Sequence, residues 1–142
     1  LCQEKMKNRC IRLEVPEIAE DIKIECQSVQ ISQVILNLLN NSVDAIESLP
    51  NKWIRLSVTE DEKNVEISIT DSGTGIPQDV AEKIMEPFFT TKELGNGTGL
   101  GLSISKGIIE THQGRLLLDT KQANTCFIIC LPKNRNFQKK VS

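Results

Sequence analysis

The chain has 142 residues, a formal net charge of −2 and 39% hydrophobic residues, enough for one ordinary domain with a buried core. The weak charge speaks against wholesale binding of nucleic acid or an anionic membrane, and no apolar run approaches the roughly 18 residues that span a bilayer. Cys2, Cys10, Cys26, Cys126 and Cys130 are odd in number and form no C-x-x-C pair, which favours reduced cytosolic thiols over a metal site or a disulfide framework.

In chain order, residues 1–9 read as a polar arm or the end of a linker helix. Cys10–Val15 and Ile22–Cys26 alternate apolar and polar residues, the pattern of half-buried strands, and Pro16 closes the first. A long helix follows over Val29–Leu49, ended by Pro50-Asn51. Ile31, Val34, Ile35, Leu38, Leu39, Ser42, Val43, Ala45, Ile46 and Leu49 fill roughly half of its circumference at about 100° per residue. The other arc carries Gln33, Asn37, Asn40, Asn41, Asp44 and Ser48, where a surface helix would carry Lys and Glu. Short amides are poor helix formers. They suit either a solvated Asn-rich face or the wall of a polar cavity, where an Asn carbonyl can ligate Mg²⁺.

Trp53–Glu60 and Val65–Asp71 alternate around the charged turn at 61–64 and predict a hairpin. The second run ends in Asp71-Ser72-Gly73-Thr74-Gly75-Ile76-Pro77. This is either a plain Asp-Gly turn or a carboxylate at a pocket mouth, an acceptor suited to the exocyclic amine of adenine. Gln78–Met85 reads as a short helix. Residues 86–99 lack periodicity, include Phe88, Phe89 and the cation Lys92, and have the length of a lid. Four of the eight glycines, Gly95, Gly97, Gly99 and Gly101, fall at alternate positions directly before a second helix over Gly101–Gln113. Such a segment brings backbone N–H groups close to a ligand, and the helix start favours an anion such as a phosphate chain. Gly114 reads as that helix's C-cap. Arg115–Asp119 and Cys126–Leu131 read as strands, with Pro132 stopping the last. Residues 133–142 form a basic tail. The chain starts at Leu1, as a piece of a larger protein would.

Over about residues 10–132 these segments resemble the ATP-binding catalytic domain of bacterial sensor histidine kinases, within the superfamily of gyrase, Hsp90, histidine kinase and MutL ATPases. Residues 37–45 (Asn-Leu-Leu-Asn-Asn-Ser-Val-Asp-Ala) are similar to the N box and 71–77 to the G1 box. Residues 86–92 (Glu-Pro-Phe-Phe-Thr-Thr-Lys) are similar to the F box and 97–102 (Gly-Thr-Gly-Leu-Gly-Leu) to the G2 box. The resemblance implies the Bergerat ATP-binding fold, an α/β two-layer sandwich: a mixed, mostly antiparallel sheet of about five strands covered on one face by about three helices.

It also implies ATP and Mg²⁺ as cofactors. Asn41 would hold the metal, Asn37 would sit near the triphosphate, and Lys92 would assist catalysis. Asp71 would bind adenine N6 with Gly73 and Gly75 beside the base, and Thr125 would line the adenine end. Gly97, Thr98, Gly99, Leu100, Gly101 and Leu102 would cradle phosphates, with Asp44, Ile76 and Thr91 completing the nucleotide set. One departure stands out: Gln122-Ala123-Asn124 occupies the place where the family has Gly-x-Gly.

Hydrolytic superfamily members carry a Glu at the position of Asn37. An amide cannot take a proton from water, so the resemblance implies slow hydrolysis and transfer of the γ-phosphoryl to a histidine on an upstream dimerisation domain, then to a response regulator. The sole histidine, His112, reads as structural. The segment is expected to be cytoplasmic and monomeric, to touch neither nucleic acid nor membrane, and to belong to a homodimeric whole. The rival readings are a gyrase- or Hsp90-like ATPase module and a non-catalytic nucleotide-binding module.

Overall fold

A computed structural model describes residues 10–15, 28–87 and 101–133. Five strands, β1 (Arg12–Glu14), β2 (Trp53–Glu60), β3 (Asn64–Asp71), β4 (Arg115–Leu118) and β5 (Cys126–Pro132), form one sheet in the order β1-β2-β3-β5-β4. β1 runs parallel to β2 and every other pairing is antiparallel. The helices are α1 (Ser28–Ile46), the single turn α2 (Gln78–Ala81) and α3 (Gly101–Thr111). The mixed five-stranded sheet with its helices is the architecture the sequence implies. Ile22–Cys26 and most of the 86–99 segment lie outside the described residues.

Alternation in the strands sorts the sheet into two faces. Val65, Ile67, Ile69 and Asp71 of β3 are all buried and stand in register with Leu131, Ile129 and Phe127 of β5 on one side. On the other they face Val58, Leu56 and Ile54 of β2. Between them lie positions such as Arg55, Glu66, Arg115 and Leu117, which are exposed. The buried face meets Val34, Leu38, Val43 and Ile46 of α1 and Ile109 of α3, each with 0% exposure. A side chain of this kind contributes about 1.5–3 kcal/mol when fully buried, so this two-layer contact is what holds the fold.

The hairpin between β2 and β3 closes as its composition suggests. Asp61 Oδ1 accepts the N–H groups of Lys63 (2.8 Å) and Asn64 (2.7 Å), a side chain standing in for a turn of backbone.

Several boundaries differ from the sequence reading. β1 is shorter than Cys10–Val15, β4 ends at Leu118, and β5 keeps Pro132 as its last residue opposite Asn64. α1 stops at Ile46, where the Leu49 N–H folds back onto the Ile46 carbonyl at 3.0 Å in a tightened turn. α2 holds only four residues before looser turns, such as Lys83 N–H to Val80 O at 3.0 Å, take over.

The inward arc of α1 is also narrower than its wheel, since Ala45 is exposed; Leu36 and Val29, outside that arc, are exposed as well. On α3, Ile104 is 48% exposed while Ser105 is fully buried, the reverse of what polarity suggests.

The end of α3 is the sharpest correction. Gln113, with φ 58°, takes the left-handed position; its N–H bonds Glu110 O, and the Gly114 N–H reaches Ile109 O, both at 2.9 Å. That is a Schellman cap with Gln at its C′ position. Gly114 is required for a different reason: a Cβ there would overlap the carbonyl oxygen of Cys130. His112 is buried beside it, with Nδ1 2.8 Å from Ile108 O.

Candidate functional site

β3 is the central strand of the sheet, and its last residue carries the only buried carboxylate among the described residues. Asp71 is 1% exposed. Its N–H donates to Thr125 O on β5's approach at 2.9 Å, and its Oδ1 accepts the Gly73 N–H at 2.8 Å. Ser42, on the inward side of α1 and 2% exposed, hydrogen-bonds the same carboxylate. Burial raises the pKa of this carboxyl above the ordinary aspartate value, and the Gly73 N–H and Ser42 hydroxyl oppose that rise. An acceptor oxygen so placed in a shielded pocket has most to gain from a ligand that donates a hydrogen bond.

The turn after Asp71 is built for close approach. A Cβ on Gly73 would lie 2.8 Å from Asp71 Oδ1 and 3.1 Å from Thr125 Oγ1. Gly75 has φ +92° and lies against the Ala123 carbonyl. Across from it, the β4–β5 loop is shaped by Asp119, which accepts Lys121 N–H and Gln122 Nε2, both at 3.0 Å. Asn124 Nδ2 then donates to Gly73 O at 3.1 Å, joining the two loops. Between them an open cleft of about 440 Å³ is lined by Thr74–Pro77 and by Leu118–Thr120 and Gln122–Thr125. The Asp71 carboxylate lies beside this cleft rather than among its walls.

α1 supplies a second side. Asn37, Asn41 and Asp44 are half-buried, as is Asn40. Asn37 Nδ2 donates to Ser105 Oγ at 3.2 Å, pinning α1 to α3 one turn from Gly101, the first residue of that helix. Gly101 and Leu102 are half-buried.

Of the anticipated site residues, Asp71, Gly73, Gly75, Ile76 and Thr125 therefore meet at the β3 turn. Asn37, Asn41 and Asp44 line the neighbouring stretch of α1, and Gly101 and Leu102 open α3. Thr91, Lys92, Gly97, Thr98, Gly99 and Leu100 lie outside the described residues.

Three contributors escaped the sequence reading. Ser42 counted with the apolar arc; a serine among Leu and Val on a buried arc is itself a signal, since it needs a partner. Ser105 gives the same signal on α3. Asn124 stands out only as part of the Gln122-Ala123-Asn124 departure; its contact has no local signal, because its partner is a backbone carbonyl 51 positions away.

Comparison with known proteins gives the family of the chain. Residues 26–135 match the profile of the "Histidine kinase-, DNA gyrase B-, and HSP90-like ATPase" family. The chain belongs to this family. It is 42% identical over 116 residues to sporulation kinase A of Bacillus subtilis (strain 168), covering 80% of this chain and 18% of that kinase. It resembles the nucleotide-free catalytic domain of histidine kinase ThkA with TM-score 0.80 at 36% identity, covering 94% of this chain and 86% of that one. A structure of ThkA in complex with response regulator protein TrrA matches with TM-score 0.79 at 31% identity, covering 94% of this chain and 37% of that one.

The histidine kinase ATPase domain is thus an ATP-binding domain of the type carried by sensor histidine kinases, and it spans less than a quarter of the length of curated relatives such as these. No helix among the described residues is long and apolar enough to cross a membrane.

Proposed function

We propose that this domain binds Mg-ATP and delivers the γ-phosphoryl to a histidine on a dimerisation domain outside this chain, for onward passage to a response regulator. The observation that carries the reading is Asp71: a buried carboxylate fixed by Gly73 and Ser42, in the turn that leads into the wall of a cleft. In this reading its oxygen accepts the adenine N6 amine. Gly73, Gly75, Ile76 and Thr125 enclose the base, and the segment through Gly97, Thr98, Gly99, Leu100, Gly101 and Leu102 meets the phosphates with Thr91 and Lys92.

The donor set fits Mg²⁺ in a limited sense. No group of three His, Cys, Asp or Glu side chains among the described residues could cage a metal. A neutral, half-buried Asn41 carbonyl suits a hard cation that keeps several waters and shares its shell with phosphate oxygens. Asn41 would hold it, with Asn37 and Asp44 nearby; when bound, the ion neutralises charge on the phosphates.

Asn37 favours transfer over hydrolysis. Its amide has no basic site for a proton from water, and its Nδ2 is already engaged with Ser105. In the full-length protein, which we take to be a homodimer with this part in the cytoplasm, the acceptor histidine comes from elsewhere, since His112 is 1% exposed within the core.

The test is to mix the chain with Mg-ATP and a separate acceptor-helix domain and to follow acid-labile phosphohistidine. Transfer that is lost with Asp71→Asn, together with ATP affinity weakened by about 2–3 kcal/mol in calorimetry, is the expected result. ATP turnover without any phosphoprotein would overturn the kinase reading. Unchanged affinity in the variant would overturn the adenine assignment.

A further inference from the structure

The loop between β4 and β5 hydrogen-bonds the Asp71 turn through the side chain of Asn124. Asn124 is half-buried and its Nδ2 donates to Gly73 O at 3.1 Å. The adjacent backbone bond, Asp71 N–H to Thr125 O at 2.9 Å, runs between the same two segments. Together they tie both ends of the Asp71–Gly73 turn to the same loop. The opposite edge of Gly73, its N–H, donates to Asp71 Oδ1 at 2.8 Å. A shift of Gly73 therefore moves the donor that aims the carboxylate.

There is little slack to absorb such a shift. The space beside Gly73 is closed by Asp71 Oδ1 and Thr125 Oγ1, and the space beside Gly75 by the Ala123 carbonyl. The left-handed non-glycine residues among those described are Cys10 and Gln113 alone. Asn124 is thus not present to satisfy an unusual backbone angle; its side chain is used as a strut.

We propose that Asn124 is a positioning residue for base recognition: by holding the Gly73 carbonyl it orients the turn that aims the Asp71 carboxylate, and so sets discrimination in favour of a purine with its amine at C6. The proposal rests on the adenine assignment of Asp71 given above. Asparagine suits the task because its amide donates. An aspartate of the same shape would set an acceptor against the Gly73 carbonyl and push the turn away.

The experiment compares binding of ADP and inosine diphosphate, without metal, by calorimetry. Inosine presents an acceptor oxygen where adenine presents its amine, so the ratio of the two affinities reads Asp71's aim. The parent chain should prefer ADP by roughly 30-fold or more, as a site built to match one hydrogen-bonding edge rejects its mismatch.

Asn124→Asp should weaken ADP by roughly three- to tenfold, the worth of one hydrogen bond, and leave inosine diphosphate unchanged, so that the ratio shrinks. Asn124→Gly, which removes the donor without adding charge, should move the ratio the same way and serves if the aspartate variant does not fold. A parental ratio retained in the folded variants overturns the proposal, as does parallel weakening of both nucleotides. A ratio of one in the parent overturns the adenine assignment and the proposal with it.

Discussion

Replacing Gly73 by alanine isolates what the β3 turn contributes to binding. Gly73 does not sit in the left-handed region, so the variant meets no backbone penalty; the effect is steric. The new Cβ would stand 2.8 Å from Asp71 Oδ1 and 3.1 Å from Thr125 Oγ1, and the first of these separations is closer than carbon and oxygen tolerate. Either the carboxylate turns or the chain at Gly73 withdraws, and both stretch the 2.8 Å bond from the Gly73 N–H. A hydrogen bond to a charged group contributes about 1.5–3 kcal/mol, and overpacking costs about 1–3 kcal/mol, part of which is the same loss counted twice. We expect stability to fall by about 2 kcal/mol in urea denaturation. ADP affinity should fall by roughly 10- to 100-fold in metal-free calorimetry, because Asp71 loses its aim. Gly107→Ala is the internal control. Nothing lies within 4 Å of a Cβ there, and Gly107 is in the interior of α3. That variant should gain about 0.5–1 kcal/mol of stability and keep its affinity. If Gly73→Ala binds ADP as the parent does, Asp71 is not held for the nucleotide in the way described.

Two further expectations follow from the same geometry. Gly114→Ala drives a Cβ into the Cys130 carbonyl, with Leu131 Cδ2 at 2.9 Å and Ile109 Cγ2 at 3.0 Å. A backbone clash cannot be relieved by a rotamer, so a loss of about 3 kcal/mol or more is expected in thermal or urea unfolding; a melting temperature equal to the parent's would show that β5 can yield at that point.

Asp71 supplies a pH signature. Its native pKa is raised by burial, so between the ordinary carboxylate range and that higher value the folded state holds a proton the unfolded chain has released. Its contribution to stability therefore declines as pH rises through that window. ADP affinity should increase through the same window, as the carboxylate becomes the anionic acceptor. Ser42→Ala removes one interaction that lowers this pKa, so the affinity midpoint should move to higher pH; titration calorimetry that finds the midpoint unmoved would remove Ser42 from the site.

The elements most legible in the sequence are those whose side chains meet a uniform environment. β3 reads as a strand because Val65, Ile67 and Ile69 all point into one core, and α1 reads as a helix because its buried positions recur with helical spacing. Asp71 was visible as a carboxylate at a strand's end, since both its place in the alternation and the glycines after it are local facts. Ser105 and Ile104 were misjudged because polarity predicts burial only when no partner is available. Ser105 has one in Asn37, 68 positions away, and Ile104 is left 48% exposed. The glycine expected to cap α3 was the right residue for a different reason, with Gln113 taking the left-handed angle while Gly114 makes room for β5.

By itself, then, the chain determined its period, its strand and helix types, and the chemical character of the groups offered to a ligand, because these depend on neighbours a few residues apart. Tertiary structure alone decided which polar groups would be spent on one another. The pairing of Asn124 with Gly73, Ser42 with Asp71 and Asn37 with Ser105 follows from how the helices lie against the sheet. Hydrogen bonds are short-ranged and directional, so no spacing along the chain can announce them.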